Sequence, residues 1–182
     1  MSTDQGLEIE VKIRIPSLPR LRAALLALGA EASSPRALER NLVFDTAGGD
    51  LKRRGVLLRL RHAGGRTVLT LKTPAAGDSA YKVREETEVD VSDFTAGEKI
   101  LRGAGFLPVF TYEKYREALR LGGVHLLLDE TPIGDFLEIE GAPPAIDEVA
   151  GRLGYARADY ITDSYHRLFL LSGRSGDMVF AP

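Results

Sequence analysis

The chain has 182 residues, enough for one domain with a sizeable core. Its 24 Lys and Arg against 26 Asp and Glu leave a formal charge of −2, which argues against a nucleic-acid binder that relies on bulk positive charge. With no cysteine there are no disulfides, no thiolate metal site and no cysteine nucleophile, and this fits a reducing compartment. The start, Met1 to Gly6, has no basic residue and no apolar run, so no signal peptide is read there. No apolar stretch reaches the length of a membrane span, and a cytoplasmic, membrane-free protein is the expectation.

Residues 7–15 alternate strictly, with Leu7, Ile9, Val11, Ile13 and Ile15 on one face and Glu8, Glu10, Lys12 and Arg14 on the other. Period two with β-branched filling predicts a strand. Ser17 and Pro19 then open a helix carrying Leu18, Leu21, Leu25 and Leu28, closed by Gly29. A second strand is expected over Arg40–Asp45, followed by a turn at 46–50 and a third strand over Val56–His62. Gly64-Gly65 signals a hairpin into a strand over Arg66–Lys72. A loop at 73–80 leads to a strand over Tyr81–Val91 and a helix over Phe94–Arg102. Strands over Val109–Leu121, Val124–Glu130 and Phe136–Glu140 follow, joined by Gly122-Gly123 and by Pro132 with Gly134. A helix over Pro143–Leu153 and another, capped by Asp163 or Ser164 and running through Leu171, complete the pattern. Residues 1–172 read as one domain, with 173–182 as a loose tail.

Hairpins without a βαβ rhythm exclude a parallel doubly wound sheet and leave sandwich and barrel both open. Most of these strands place ionisable residues on one face and apolar residues on the other. One solution is an ordinary wet surface. The other is a closed antiparallel barrel with a polar lumen and its apolar face covered by helices. The acids in such a lumen would be Glu8, Glu10, Glu86, Glu88, Asp129, Glu138 and Glu140. The bases would be Lys12, Arg40, Arg59, Arg61, Lys72, Lys82, Arg84, Lys114 and Arg116. So many enclosed charges require partners. Carboxylates take Mg²⁺ or Mn²⁺, and Arg and Lys take phosphate oxygens, so the two sets together suggest a metal–polyphosphate complex.

Glu8-Ile9-Glu10-Val11-Lys12 resembles the Glu-x-Glu-x-Lys signature of the CYTH superfamily, the triphosphate tunnel metalloenzymes. Leu58-Arg59-Leu60-Arg61, Thr70-Leu71-Lys72, Arg84 to Glu88, Lys114-Tyr115-Arg116, Asp129 and Phe136 to Glu140 fall in the order that family shows. The resemblance implies an α+β fold, an eight-stranded closed antiparallel tunnel with flanking helices. It implies Glu8, Glu10, Glu138 and Glu140 as metal ligands, completed or oriented by Asp129 and one of Glu86 or Glu88. It implies Lys12, Arg59, Arg61, Lys72 and Arg116 as the groups that grip and activate the phosphates, with Lys82, Arg84, Lys114 and Arg40 beside them. The leading functional expectation is metal-dependent hydrolysis of inorganic triphosphate or a small organic triphosphate. The alternatives are a class IV adenylyl cyclase, making cyclic AMP and pyrophosphate, and a non-catalytic polyphosphate-binding module. The resemblance also implies a homodimer. Tyr112 and the three histidines, His62, His125 and His166, read as structural, and Lys52-Arg53-Arg54 as a solvated turn able to steer an anion.

Overall fold

The computed structural model describes residues 6–76, 78 and 80–181. The absence of a signal peptide in residues 1–5 therefore lies outside the described residues, as do Gly77 and Ser79 of the 73–80 loop and Pro182 of the tail. Eight strands form one closed antiparallel barrel: β1 (Leu7–Ile15), β2 (Glu31–Asp45), β3 (Leu57–Ala63), β4 (Arg66–Pro74), β5 (Lys82–Val91), β6 (Leu107–Leu121), β7 (Val124–Thr131) and β8 (Gly134–Glu140). Around the barrel they run β1-β5-β4-β3-β2-β6-β7-β8, and β8 returns to β1. The helices are α1 (Leu18–Ala27), α2 (Asp50–Arg53), α3 (Phe94–Gly103), α4 (Pro143–Arg152) and α5 (Tyr165–Leu171). None is long and apolar enough to cross a membrane.

The polarity is inside out. The apolar parity of β1, β7 and β8 faces outward, where Val11, Ile13, Leu126, Leu137 and Ile139 pack with Leu21 and Leu25 of α1 and with Ile146, Val149 and Ala150 of α4. Leu42, Phe44, Leu58 and Leu60 pack in the same way beneath Leu101 of α3. Gly97 permits that approach, since a Cβ there would meet Val91 at 3.1 Å. Burying these apolar faces outside leaves the charged parity nowhere to go but the lumen.

Three elements differ from the sequence expectation. Strand β2 begins at Glu31 rather than Arg40. Its first half contains Pro35, which is tolerated because residues 31–38 pair with β6 alone, while β3 reaches only residues 39–44. The expected turn at 46–50 runs into α2, which Asp45 anchors by accepting the backbone N–H groups of Thr46 (2.7 Å), Leu51 (2.8 Å) and Lys52 (2.9 Å). The tail is not loose. Met178 is fully buried and exchanges backbone hydrogen bonds with Thr111 and Glu113 of β6, at 2.9 and 2.8 Å. It takes the edge of β6 that β7, paired only from Tyr115 onward, leaves free. Ile161 patches a second gap in the same way, bonding Lys12 in both directions where the β1–β5 pairing stops at Glu10.

Candidate active site within the barrel

A cavity of about 570 Å³ occupies the lumen. Every residue singled out from the sequence lines it except Arg40 and Asp129. Arg40 is exposed on the outer face, at the parity of Leu38, Leu42 and Phe44. Its neighbour Glu39 points inward instead, 3.7 Å from Lys114.

The acids gather at the seam where the first and last strands meet. Glu10 and Glu140 are register partners across β1 and β8. Carboxylate oxygens of Glu8, Glu10 and Glu140 lie within 4.8 Å of one another. Each of the first two has a lysine partner: Lys72 donates to both oxygens of Glu8 at 2.6 Å, and Lys82 donates to Glu10 at 2.6 Å. Glu140 has no such partner among the described residues. Burial works to raise the Glu10 carboxyl, but Lys82 and Lys12 outweigh it and hold the group down at about 2. For Glu140 desolvation wins, and its carboxyl is pushed up to about 8 despite Arg116. Three convergent hard oxygen donors, one short of positive charge, suit a hard divalent cation such as Mg²⁺ or Mn²⁺.

The cations are interleaved with the acids around the lumen, and most are held by one. Lys12, 2 % exposed, donates to Glu138 at 2.7 Å. Burial would lower its ammonium, but Glu138 and Glu10 raise it, so it stays charged. Arg116 spans Asp129, at 2.6 Å, and Glu138. Arg59 lies 3.6 Å from Glu88, donates to Thr70 at 3.2 Å and donates to the Tyr112 hydroxyl at 3.4 Å. Arg61 lies 3.5 Å from Glu88, and Lys72 lies 3.2 Å from Glu86. Arg84 donates to the Gly55 carbonyl at 2.7 Å, near the mouth.

Asp129, expected to complete or orient the metal set, is engaged by cations in this structure. Fully buried, it accepts from Lys114 at 2.9 Å, from Arg116 twice at 2.6 Å and from the Tyr165 hydroxyl at 2.6 Å. It stands behind the cations and fixes their direction. Glu138, between Lys12 and Arg116, is also outside the Glu8–Glu10–Glu140 group.

Several lining residues escaped the sequence reading. Tyr112 is a lumen residue rather than outer packing, and Arg59 and Lys114 lower its hydroxyl against the upward push of burial. Its parity with Lys114 and Arg116 carried that signal. Tyr165, Ser164 and His166 of the α5 region also border the cavity, as does Lys52. Ser164 caps α5 as expected, accepting from the Arg167 N–H at 3.2 Å. At this end Phe110, Tyr112 and Phe136, all of lumen parity, pack against Tyr165 and Phe169, so α5 stoppers the barrel with an apolar plug.

Comparisons with known proteins agree with this architecture. A Methanocaldococcus jannaschii protein named "Putative adenylate cyclase MJ0240" is 28% identical over 143 residues, covering 78% of this chain and 81% of that protein. A Vibrio parahaemolyticus structure described as a "putative adenylate cyclase" superposes with a TM-score of 0.82 at 18% identity, covering 92% of this chain and 99% of that one, a likeness of fold. A Hippeastrum structure, described as a "putative adenylyl cyclase" that reveals a dominant triphosphatase activity, has a TM-score of 0.69 at 25% identity, covering 92% and 97% of the two chains. Residues 6–165 match the CYTH domain. The chain therefore belongs to the CYTH domain family.

Proposed function

We propose that this protein hydrolyses a triphosphate in a reaction dependent on Mg²⁺ or Mn²⁺, inside the barrel. The observation that carries the proposal is that a single cavity is lined both by the Glu8–Glu10–Glu140 cluster and by Lys12, Arg59, Arg61, Lys72 and Arg116. Glu8, Glu10 and Glu140 would hold the metal, which when bound supplies Lewis-acid neutralisation of phosphate oxygens. The lysines and arginines are positioned to take the remaining oxygens and to stabilise charge on the transferring group. Without substrate they rest on acids: Lys72 on Glu8, Lys12 on Glu138 and Arg116 on Asp129. Exchange of those partners for phosphate keeps every buried cation compensated.

The cyclase is the second reading, favoured by the names of the Methanocaldococcus and Vibrio relatives. The same charge sorting serves it, with a ribose 3′-hydroxyl in place of water as nucleophile. Inorganic triphosphate, ATP and thiamine triphosphate, each with Mg²⁺ and with Mn²⁺, separate the readings. Orthophosphate release is the expected result. Cyclic AMP with pyrophosphate would replace the hydrolase by the cyclase, and binding without turnover would reduce the protein to a polyphosphate-binding module.

A further inference from the structure

We infer that Asp147, on the outer side of the barrel, is a positioning residue for Lys12 and Lys82, acting through Tyr160 and Tyr81 to fix where the two ammonium groups stand in the cavity. The inference rests on the triphosphate reading above for what the lysines hold, and it adds a part of the machinery that never touches substrate.

The barrel wall has a gap beside these two lysines. Strands β1 and β5 pair only from Leu7 with Glu85 to Glu10 with Lys82. Lys82 is the first residue of β5, so the edge of β1 beyond Glu10 has no strand beside it on that side. Ile161 fills that edge, accepting from the Lys12 N–H at 3.1 Å and donating to the Lys12 carbonyl at 2.8 Å. Both lysines converge on one acid: Lys82 donates to Glu10 at 2.6 Å, and the Lys12 ammonium lies 3.9 Å from it. Their placement thus depends on two backbone segments that the sheet itself does not tie together.

Asp147 ties them. Tyr160 directly precedes Ile161, and Tyr81 directly precedes Lys82. Both hydroxyls donate to the same oxygen, Asp147 Oδ1, at 2.9 and 2.8 Å. One oxygen shared by two donors fixes the distance between them, and with it the distance between the segments that carry Ile161 and Lys82. Arg157 donates to the other oxygen at 3.0 and 2.6 Å and lies over the Tyr81 ring, 5.4 Å from its centroid. Burial and the bond to Asp147 raise both phenols, so both remain donors. Seating α4 does not need this hub, because Ile146, Val149 and Ala150 of the same helix are already buried in the outer core. Successive side chains of an extended chain point to opposite faces, so a Tyr81 held outside turns Lys82 inside. A misplacement of about 1 Å at a group that orients substrate can cost about 100-fold in rate, so a brace outside the cavity bears on what happens within it.

The test follows the lysine ammonium groups of the whole protein by ¹H–¹⁵N NMR. Asp147→Ala should shift the Lys12 and Lys82 signals and leave in place that of Lys114, which Asp129 holds at 2.9 Å. The same variant should weaken tripolyphosphate binding by about tenfold in calorimetry, with Ca²⁺ in place of Mg²⁺ to slow turnover. Tyr81→Phe combined with Tyr160→Phe keeps both rings, removes only the hydroxyls and should reproduce both changes. Arg157→Ala leaves the two hydroxyl bonds intact and should lower the melting temperature without either change. Unmoved Lys12 and Lys82 signals in the double phenylalanine variant, or equal shifts after Arg157→Ala, would overturn the inference. Shifted signals with undiminished affinity would uphold Asp147 as the positioning group and overturn the assignment of these lysines to the phosphate grip. Reduced affinity in the variants, with no phosphate released by the wild type and Mg²⁺, upholds the positioning and overturns the hydrolase.

Discussion

Asp129→Asn is the substitution that most directly probes how the barrel tolerates its charged interior. The replacement keeps the shape of the side chain and removes the charge. Asp129 is fully buried and receives Lys114, both forks of Arg116 and the Tyr165 hydroxyl. Asparagine turns one acceptor into a donor that points at other donors. Glu138 still pairs with Arg116, and Glu39, 3.7 Å away, is the only other acid within ion-pair distance of Lys114 among the described residues. Breaking a buried pair by removing one partner costs about 3–5 kcal/mol. In a chain of this size that lowers the melting temperature by about 10 °C. Differential scanning fluorimetry reads this directly. Added tripolyphosphate should stabilise the variant by more degrees than the wild type, because a polyanion can replace the missing charge on Lys114 and Arg116. A loss below about 3 °C, or an equal ligand shift in both proteins, would refute the view that Asp129 holds these cations.

Further substitutions test other parts of the structure. Glu10→Gln should lower metal-dependent turnover by about 100-fold or more while circular dichroism stays native, and Mn²⁺ titration should show weakened binding. Arg59→Ala should weaken tripolyphosphate far more than orthophosphate, as measured by calorimetry; equal losses would argue against a grip on the chain of phosphates. Asp147 accepts from Tyr81 at 2.8 Å, Tyr160 at 2.9 Å and Arg157 at 2.6 Å, and although burial works to raise it, these donors hold its carboxyl below the ordinary value. A lowered carboxyl contributes stability above its unfolded value of about 3.9, and that stability is lost as the pH falls through the folded value. The stability difference between wild type and Asp147→Asn should therefore be flat above about pH 5 and shrink below about pH 4 in urea titrations. Truncation after Gly176 removes the buried Met178 and its ladder bonds to β6, with an expected loss of about 3 kcal/mol, or roughly 6–12 °C in melting temperature.

The strands were legible because burial imposes period two, and the inside-out polarity was legible because the same parity was charged on one strand after another. Arg40 departs from the expectation for a local reason. Between Leu38 and Phe44 both parities carry a polar residue, and only the shared parity of Arg40 with Leu38, Leu42 and Phe44 reveals that it faces out. Asp129 was found as a lumen-parity acid, but its role depends on Tyr165, 36 residues away, whose approach no local pattern encodes. The role of α5 is hidden for a related reason, whereas Tyr112 shows its direction by its parity with Lys114 and Arg116. An aromatic residue that plugs a barrel from within has the same local signature as one that packs on its outside. The tail looked loose because the groups that hold Met178 belong to an edge of β6 left open by the length of β7.

The cluster of Glu8, Glu10 and Glu140 straddles the pairing of β1 with β8, without which the sheet is not a closed barrel. Its carboxylates come from the first strand and the last, so a molecule in which β1 and β8 have not met has an incomplete cluster. Mn²⁺ binding at this cluster would thus report on closure itself, and a metal held there would act as a clasp on the finished ring.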